Sequence, residues 1–304
     1  MSVDISTEIC GLRMRNPLIL AAGILGISGE TLRRVGEAGA GAVVTKSYGV
    51  DPRAGYPNPT VVEVVGGLMN AMGLPNPGVA EMGEEVVEAR KAGVPVIASI
   101  YGCGETDYVM AAEIAESSAP DAIELNVSCP HVKEVGAQIG QDPEMVGSIT
   151  EAVKQKVKVP VFVKLTPNVT DITEIAKSAE RGGADAITAI NTVKALAIDI
   201  DTRRPVLAAG SGGLSGPSIK PIAIRCVHDI SKSVGIPVIG CGGVMSWRDV
   251  IEYTLAGASA VQIGTALMYK DLTVFKEIDD GLRNYLSTRR IDRLSDLRGQ
   301  VITT

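Results

Sequence analysis

The sequence predicts an α/β protein folded as a (β/α)8 TIM barrel, and three observations carry the prediction. Short apolar runs rich in Val, Ile and Ala recur along the chain, each bounded by Gly or Pro. Runs without polar alternation mark strands that are buried on both faces of a parallel sheet. Between them lie helical patterns, several of which start after Asp, Ser or Thr and stop at Gly, as capped helices do. Strand and helix alternate eight times, and eight right-handed parallel crossovers are the number that closes a barrel. A doubly wound open sheet is the alternative. The 304 residues fit one such barrel, although a prior of ~150 residues per domain would allow two. The reading is a single domain over 1–304, with long loops inserted at the C-terminal face of the parallel eight-stranded core.

The units run in order. PLILAAG (17–23) is followed by ETLRRVGEA, GAVVTKS (41–47) by GVAEMGEEVVEARKAG, and PVIASIY (95–101) by TDYVMAAEIAESS. AIELNVSC (122–129) precedes DPEMVGSITEAVKQKVK, and VPVFVKLT (159–166) precedes DITEIAKSAERGG. AITAINT (186–192) leads to SIKPIAIRCVHDISKSVG, PVIGCGG (237–243) to SWRDVIEYTLAGA, and AVQIGTAL (260–267) to TVFKEIDDGLRNYL. Two connections are too long for simple βα loops, 48–77 and 193–214, and loops of that length in a compact domain are usually functional. The first is rich in Pro and Gly, which predicts irregular structure or a small hairpin acting as a lid or pocket wall.

Composition excludes several classes. Lys plus Arg is 29 against 35 Asp plus Glu, a net charge of −6, which opposes general affinity for nucleic acid or acidic membranes. With 45% hydrophobic and 21% charged residues the chain buries a large core. Aromatics at 3% do not supply a base-stacking platform. The five cysteines, at 10, 103, 129, 226 and 241, form no Cys-x-x-Cys pair and no zinc spacing, so reduced thiols and no metal site are expected. The N-terminus lacks a signal-peptide core and no run reaches the ~18–20 apolar residues of a membrane span, which predicts a cytoplasmic protein.

In a barrel the reactive groups stand at the C-terminal strand ends. Here those ends carry Ala22 and Gly23, Lys46 and Ser47, Ser99, Asn126 with Ser128 and Cys129, Lys164, Asn191 and Thr192, Gly242 and Gly243, and Gly264 and Thr265. The glycines after the seventh and eighth strands suit a phosphate, because backbone N–H groups can approach an anion there. Neither GxxxxGK[ST] nor a strand-linked Gly-x-Gly-x-x-Gly is present, leaving a phosphate-bearing cofactor held by a barrel. Lys46 and Lys164 sit in apolar strands, where an unpaired ammonium is costly, so each faces an anionic or electron-rich group. Pairing with a carboxylate such as Glu124 is the structural alternative, and Schiff-base chemistry keeps a lysine-dependent lyase open. Cys129 ends the fourth strand before Pro130 and is placed to act as a base or nucleophile, whereas Cys10, Cys103, Cys226 and Cys241 read as small hydrophobes. His131 lies two residues from Cys129, a spacing that rarely aligns a Cys–His pair, and His228 falls in a helix. Asn70, Asn126 and Asn191 offer donor and acceptor in one planar group. With Lys46 they describe a pocket for a small, planar, anionic heterocycle.

These residues and strings resemble the dihydroorotate dehydrogenase family over nearly the whole chain: TKS (45–47), LMNAMGLPNPG (68–78), ELNVSCP (124–130), VKLTPNVTDI (163–172), INT (190–192), GGLSGPSIKP (212–221) and GCGGV (240–244). The resemblance implies oxidation of dihydroorotate to orotate in pyrimidine (UMP) biosynthesis, with FMN as cofactor. It places Ala22, Gly23, Lys46, Ser47, Ser99, Asn126, Lys164, Ile190, Gly216, Gly242, Gly243, Gly264 and Thr265 around FMN, and Lys46, Asn70, Ala71, Met72, Gly73, Leu74, Asn126, Asn191 and Thr192 around the substrate. Cys129 would take the C5 proton while C6 delivers hydride to the flavin, and Lys164 would stabilise the anionic reduced ring. Cys rather than Ser as the base looks like class 1. VKLTPNVTDI and GGLSGPSIKPIAIR look like the NAD-linked class 1B, whose catalytic subunit pairs with a subunit carrying FAD and a [2Fe–2S] cluster in a heterotetramer of two catalytic and two partner subunits. No iron–sulfur spacing occurs in this chain, so those centres belong to the partner. His131 stands where the family usually has Asn, and Ser99 where a flavin-contacting Asn is common. The alternatives are another FMN-dependent dihydropyrimidine oxidoreductase, a fumarate-linked class 1A enzyme, or a non-catalytic barrel subunit.

Overall fold

Eight parallel strands close into a barrel in the computed structural model, which describes residues 3–127 and 139–302. They are β1 (Leu18–Leu20), β2 (Ala42–Val44), β3 (Val96–Ile100), β4 (Ala122–Asn126), β5 (Val161–Leu165), β6 (Ala186–Ala189), β7 (Val238–Cys241) and β8 (Ala260–Ile263). Each pairs in parallel with the strand before it, and β8 pairs with β1, Gln262 opposite Ile19. That last ladder excludes the open sheet. The helices are α1 (Gly29–Glu37), α2 (Met82–Arg90), α3 (Glu105–Ser117), α4 (Pro143–Lys154), α5 (Ile172–Arg181), α6 (Lys220–Ser231), α7 (Trp247–Ala256), the short α8 (Ala266–Lys270) and α9 (Thr273–Arg289).

Local signals place these helices. The Ser28, Asp142 and Asp171 side chains accept backbone N–H bonds at the starts of α1, α4 and α5. Ser246 and Asp249 form a reciprocal capping box on α7, which ends on left-handed Gly257. Leu32 and Val35 of α1, Val86 of α2 and Ala176 of α5 pack with outward strand residues such as Leu20, Val43 and Val163 in the main core.

Inside the barrel, alternate residues point to the axis. Ala42, Ala122, Ala186 and Ala260 come from even strands and Ile19, Ile97, Phe162 and Ile239 from odd ones, and all pack in one buried cluster with Val44. Small and large layers therefore interleave, as filling a barrel of eight strands requires. The antiparallel hairpin Thr7–Ile9/Leu12–Met14 plugs the N-terminal end, adding Ile9, Leu12 and Met14 to that cluster. Among the described residues no helix is long and apolar enough to cross a membrane.

The two long connections fold together. Val61–Val64 and Gly67–Asn70 form a hairpin, Gly212–Ser215 adds to its second strand and Val193–Ala195 follows, giving one four-stranded antiparallel sheet. Glycine permits the contact: a Cβ on Gly67 would lie 1.9 Å from the Ser215 carbonyl oxygen, and one on Gly213 2.0 Å from Thr192 Oγ1. Met69, Ala71 and Leu207 form a small core on one face of this sheet.

Gly67→Ala is expected to cost about 1–3 kcal/mol by forcing the two segments apart. Gly104→Ala is the control, because nothing lies within 4 Å of its Cβ position. Denaturant unfolding that leaves both variants at the wild-type midpoint would contradict the pairing.

Candidate active site

Between the C-terminal barrel mouth and the four-stranded sheet lies a cavity of about 430 Å³. It collects Ala22 and Gly23 after β1, Lys46 and Ser47 after β2, Asn126 of β4, Lys164 of β5, and Ile190, Asn191 and Thr192 after β6. Gly242, Gly243, Gly264 and Thr265 follow β7 and β8, and Gly216 precedes α6. Asn70, Met72, Gly73 and Leu74 wall it from the inserted segment. Cys129, with Ser128 and His131, lies outside the described residues.

Two predicted residues do not reach the cavity. Ala71 turns the other way, into the small core with Met69 and Leu207, because alternate residues of an extended chain face opposite sides. Leu68, Asn70 and Met72 take the cavity side. Ser99 is fully buried behind Ser47, its hydroxyl 2.8 Å from the Ser47 hydroxyl. It supports the wall instead of forming it. From Ser47 the hydrogen bonds run on: Asn126 Nδ2 donates to Ser47 Oγ at 3.1 Å, and Asn191 Nδ2 to Asn126 Oδ1 at 3.2 Å. Tyr108 donates to the Asn126 carbonyl at 2.9 Å, fixing the end of β4 from the helix layer.

The two lysines differ. Lys46 is 5% exposed and its ammonium lies 3.5 Å from the Gly23 carbonyl, with no carboxylate in ion-pair range among the described residues. Burial pushes its pKa below the ordinary lysine value. An anionic ligand would answer that charge. Lys164 instead donates to Gln262 Oε1 at 2.7 Å and stands 3.8 Å from Glu124 Oε1, so for this lysine the carboxylate pairing is present. Cys241 also lines the cavity, and its thiol is pushed up by burial and held neutral.

At the far corner the backbone is bare. Gly216, Gly242 and Gly243 all have positive φ, and a Cβ on Gly243 would lie 2.8 Å from the Gly216 carbonyl. The turn is fixed from below by Asp249, which accepts from the Met245 and Ser246 amides at 2.9 and 2.8 Å and pairs with Lys220 at 2.7 Å. Tyr253 donates to the Gly242 carbonyl at 2.6 Å. Sequence reading missed Gln262, Cys241 and Asp249. The period of two along β7 and β8 marks the first two as inward-facing.

Residues 4–286 match the family described as Dihydroorotate dehydrogenase. The chain is 52% identical over 302 residues to the "Dihydroorotate dehydrogenase B (NAD(+)), catalytic subunit" of Methanocella arvoryzae, covering 99% of each. The like-named protein of Pyrococcus horikoshii is 52% identical over 295 residues, 97% of each, and that of Methanocaldococcus jannaschii 49% over 291, 94% of this chain and 95% of the relative. Among solved structures, a dihydroorotate dehydrogenase of Eimeria tenella in complex with ferulenol superimposes with a TM-score of 0.85 at 22% identity. It covers 98% of this chain and 88% of that one, and the likeness concerns the fold.

Burial opposes ionisation of Asp249, but the bonds from Lys220, Met245 and Ser246 outweigh it and hold its pKa below the usual carboxylate value. The charged form therefore stabilises the fold above the unfolded pKa, and that contribution fades as pH falls through the lowered one. Asp249→Asn is expected to lose about 1–3 kcal/mol at pH 7. The gap to wild type should narrow below about pH 4 in denaturant titrations; a gap independent of pH would refute the assignment.

Proposed function

The chain belongs to the dihydroorotate dehydrogenase family, and we propose that it oxidises dihydroorotate to orotate in pyrimidine synthesis as the catalytic subunit of the NAD-linked enzyme. One observation carries this reading: two buried lysines, three asparagines and a glycine-lined corner meet in a single cavity, in a chain half identical over its length to NAD-linked catalytic subunits. Those relatives' names favour the NAD-linked enzyme over a fumarate-linked one.

The cavity fits FMN on its own chemistry. The Gly216, Gly242, Gly243, Gly264 and Thr265 corner, where a Cβ would close the space at Gly243, suits the phosphate. Ala22, Gly23, Ser47, Asn126, Lys164 and Ile190 would border the ring, with Ser99 supporting Ser47. When bound, FMN supplies the acceptor for two electrons. We read residues 1–304 as one FMN-binding domain working in the cytoplasm, where thiols such as Cys10, Cys103, Cys226 and Cys241 stay free. FAD and a [2Fe–2S] cluster are assigned to a partner subunit that passes the electrons to NAD, two copies of each subunit forming the complex.

The chain's residues then divide the work. Lys46 pairs with the substrate carboxylate, its ammonium already stripped of water. Asn70, Asn126 and Asn191 read the amide edges of the ring, while Met72, Gly73, Leu74 and Thr192 close around it. Cys129, three residues beyond Asn126, takes the C5 proton; the C6 hydrogen leaves with its electron pair, and the C5–C6 double bond forms. For each dihydroorotate oxidised, one NAD is reduced and one proton released.

Anaerobic mixing of the purified chain with dihydroorotate is expected to bleach its flavin band, and a flavin-loaded protein that does not bleach would count against the substrate. Cys129→Ala should keep FMN yet slow the bleaching by about two or more orders of magnitude. Orotate affinity should fall as pH rises through the Lys46 pKa, which lies below the ordinary ~10.4. Lys46→Met should bind roughly tenfold or more weakly and lose that alkaline limb. A limb that survives in the variant would remove Lys46 from the site.

A further inference from the structure

One layer below the cavity floor the barrel carries a buried carboxylate that the reaction as assigned does not use. Glu124 of β4 is fully buried and points inward with Thr188 of β6 and Gln262 of β8. Its Oε2 accepts from Thr188 Oγ1 at 2.9 Å and from Gln262 Nε2 at 2.5 Å. Its Oε1 accepts no hydrogen bond among the described residues and faces Lys164 Nζ at 3.8 Å. Gln262 completes the ring by accepting from that ammonium at 2.7 Å.

Rotating the Gln262 amide would set its NH2 against an ammonium and its oxygen against a carboxylate, so the charges on either side fix it. Glu124 thereby orients Gln262, whose oxygen accepts from Lys164. It also offsets the Lys164 charge, whereas Lys46 has no such counter-ion in range among the described residues. Among the described residues the two cavity lysines are thus electrostatically different: Lys46 meets only a carbonyl oxygen, and Lys164 is half of a buried pair.

We infer that Glu124 is a positioning residue that holds Lys164 against the bound ring and keeps its charge compensated, lowering the reduction potential of the flavin. The inference rests on the cavity being the FMN site. Next to a bound flavin, a bare ammonium in this cavity would favour the anionic reduced form over the neutral oxidised one and retain the electrons. The compensated one leaves them free to move on to an acceptor as weakly oxidising as NAD.

The test is the midpoint potential of the bound flavin, measured by equilibration with a reference dye in wild type, Glu124→Gln, Lys164→Met and the double variant. Glu124→Gln is expected to raise the ratio of reduced to oxidised flavin at least tenfold at fixed potential, about 30 mV for a two-electron couple. In the Lys164→Met background the same substitution should shift it far less, since the carboxylate acts through the ammonium. An unchanged potential in flavin-loaded Glu124→Gln, or an equal shift without Lys164, would overturn the inference. Wild-type protein that binds no FMN would instead overturn the cofactor reading. Should Glu124→Gln not fold, Glu124→Asp withdraws the carboxylate from the ammonium while keeping its charge. It must move the potential upward by less, and no movement would refute the role.

Discussion

Everything at the functional end depends on the two-residue period of eight closed strands. Closure leaves no edge on which an inward side chain could escape, so each inward position must fill space or find a partner. At the bottom the chain meets this with alanine, isoleucine and Phe162. Higher up it switches to Glu124, Thr188 and Gln262, where Thr188 and Gln262 both donate to one carboxylate oxygen of Glu124. At the top come Lys46, Asn126 and Lys164, where the unmet needs can be answered by a ligand. The polarity gradient along the axis is what turns a packed core into a site.

The wall of that site is built by retreat as much as by contact. Ser99 lies beneath Ser47, and Tyr108 and Asp249 reach in from helices to fix carbonyls and amides that border the cavity. None of the three meets the cavity, yet each limits how far the groups in front of it can relax. A constellation held this way costs little reorganisation when charge shifts within it.

Much of this was legible in the sequence because buried parallel strands write themselves as unbroken apolar runs. All eight appear where the runs and their polar ends place them. The cavity residues at those ends were legible for the same reason. Residues one layer down were harder to see: Gln262 sits inside an apolar run and declares itself only when the inward positions of neighbouring strands are aligned. Ala71, which the resemblance sets beside the substrate, packs with Met69 and Leu207 instead because the strand leading into it alternates sides. The joint sheet of the two insertions depends on Gly67 and Gly213 allowing backbones to meet across more than a hundred residues, and no local pattern announces such a meeting.

That sheet bears on how this scaffold can be altered. Loops on a barrel are commonly regarded as interchangeable parts, each free to lengthen or be exchanged without regard to the rest. Here Asn70 is bound to Gly213 both through strand register and through its side-chain amide, 3.3 Å from the Gly213 carbonyl. The segments around 61–70 and 193–215 are therefore a single structural module split across the chain. A graft that brings one without the other would carry half a roof, and a natural change in length on one side calls for an answering change on the other.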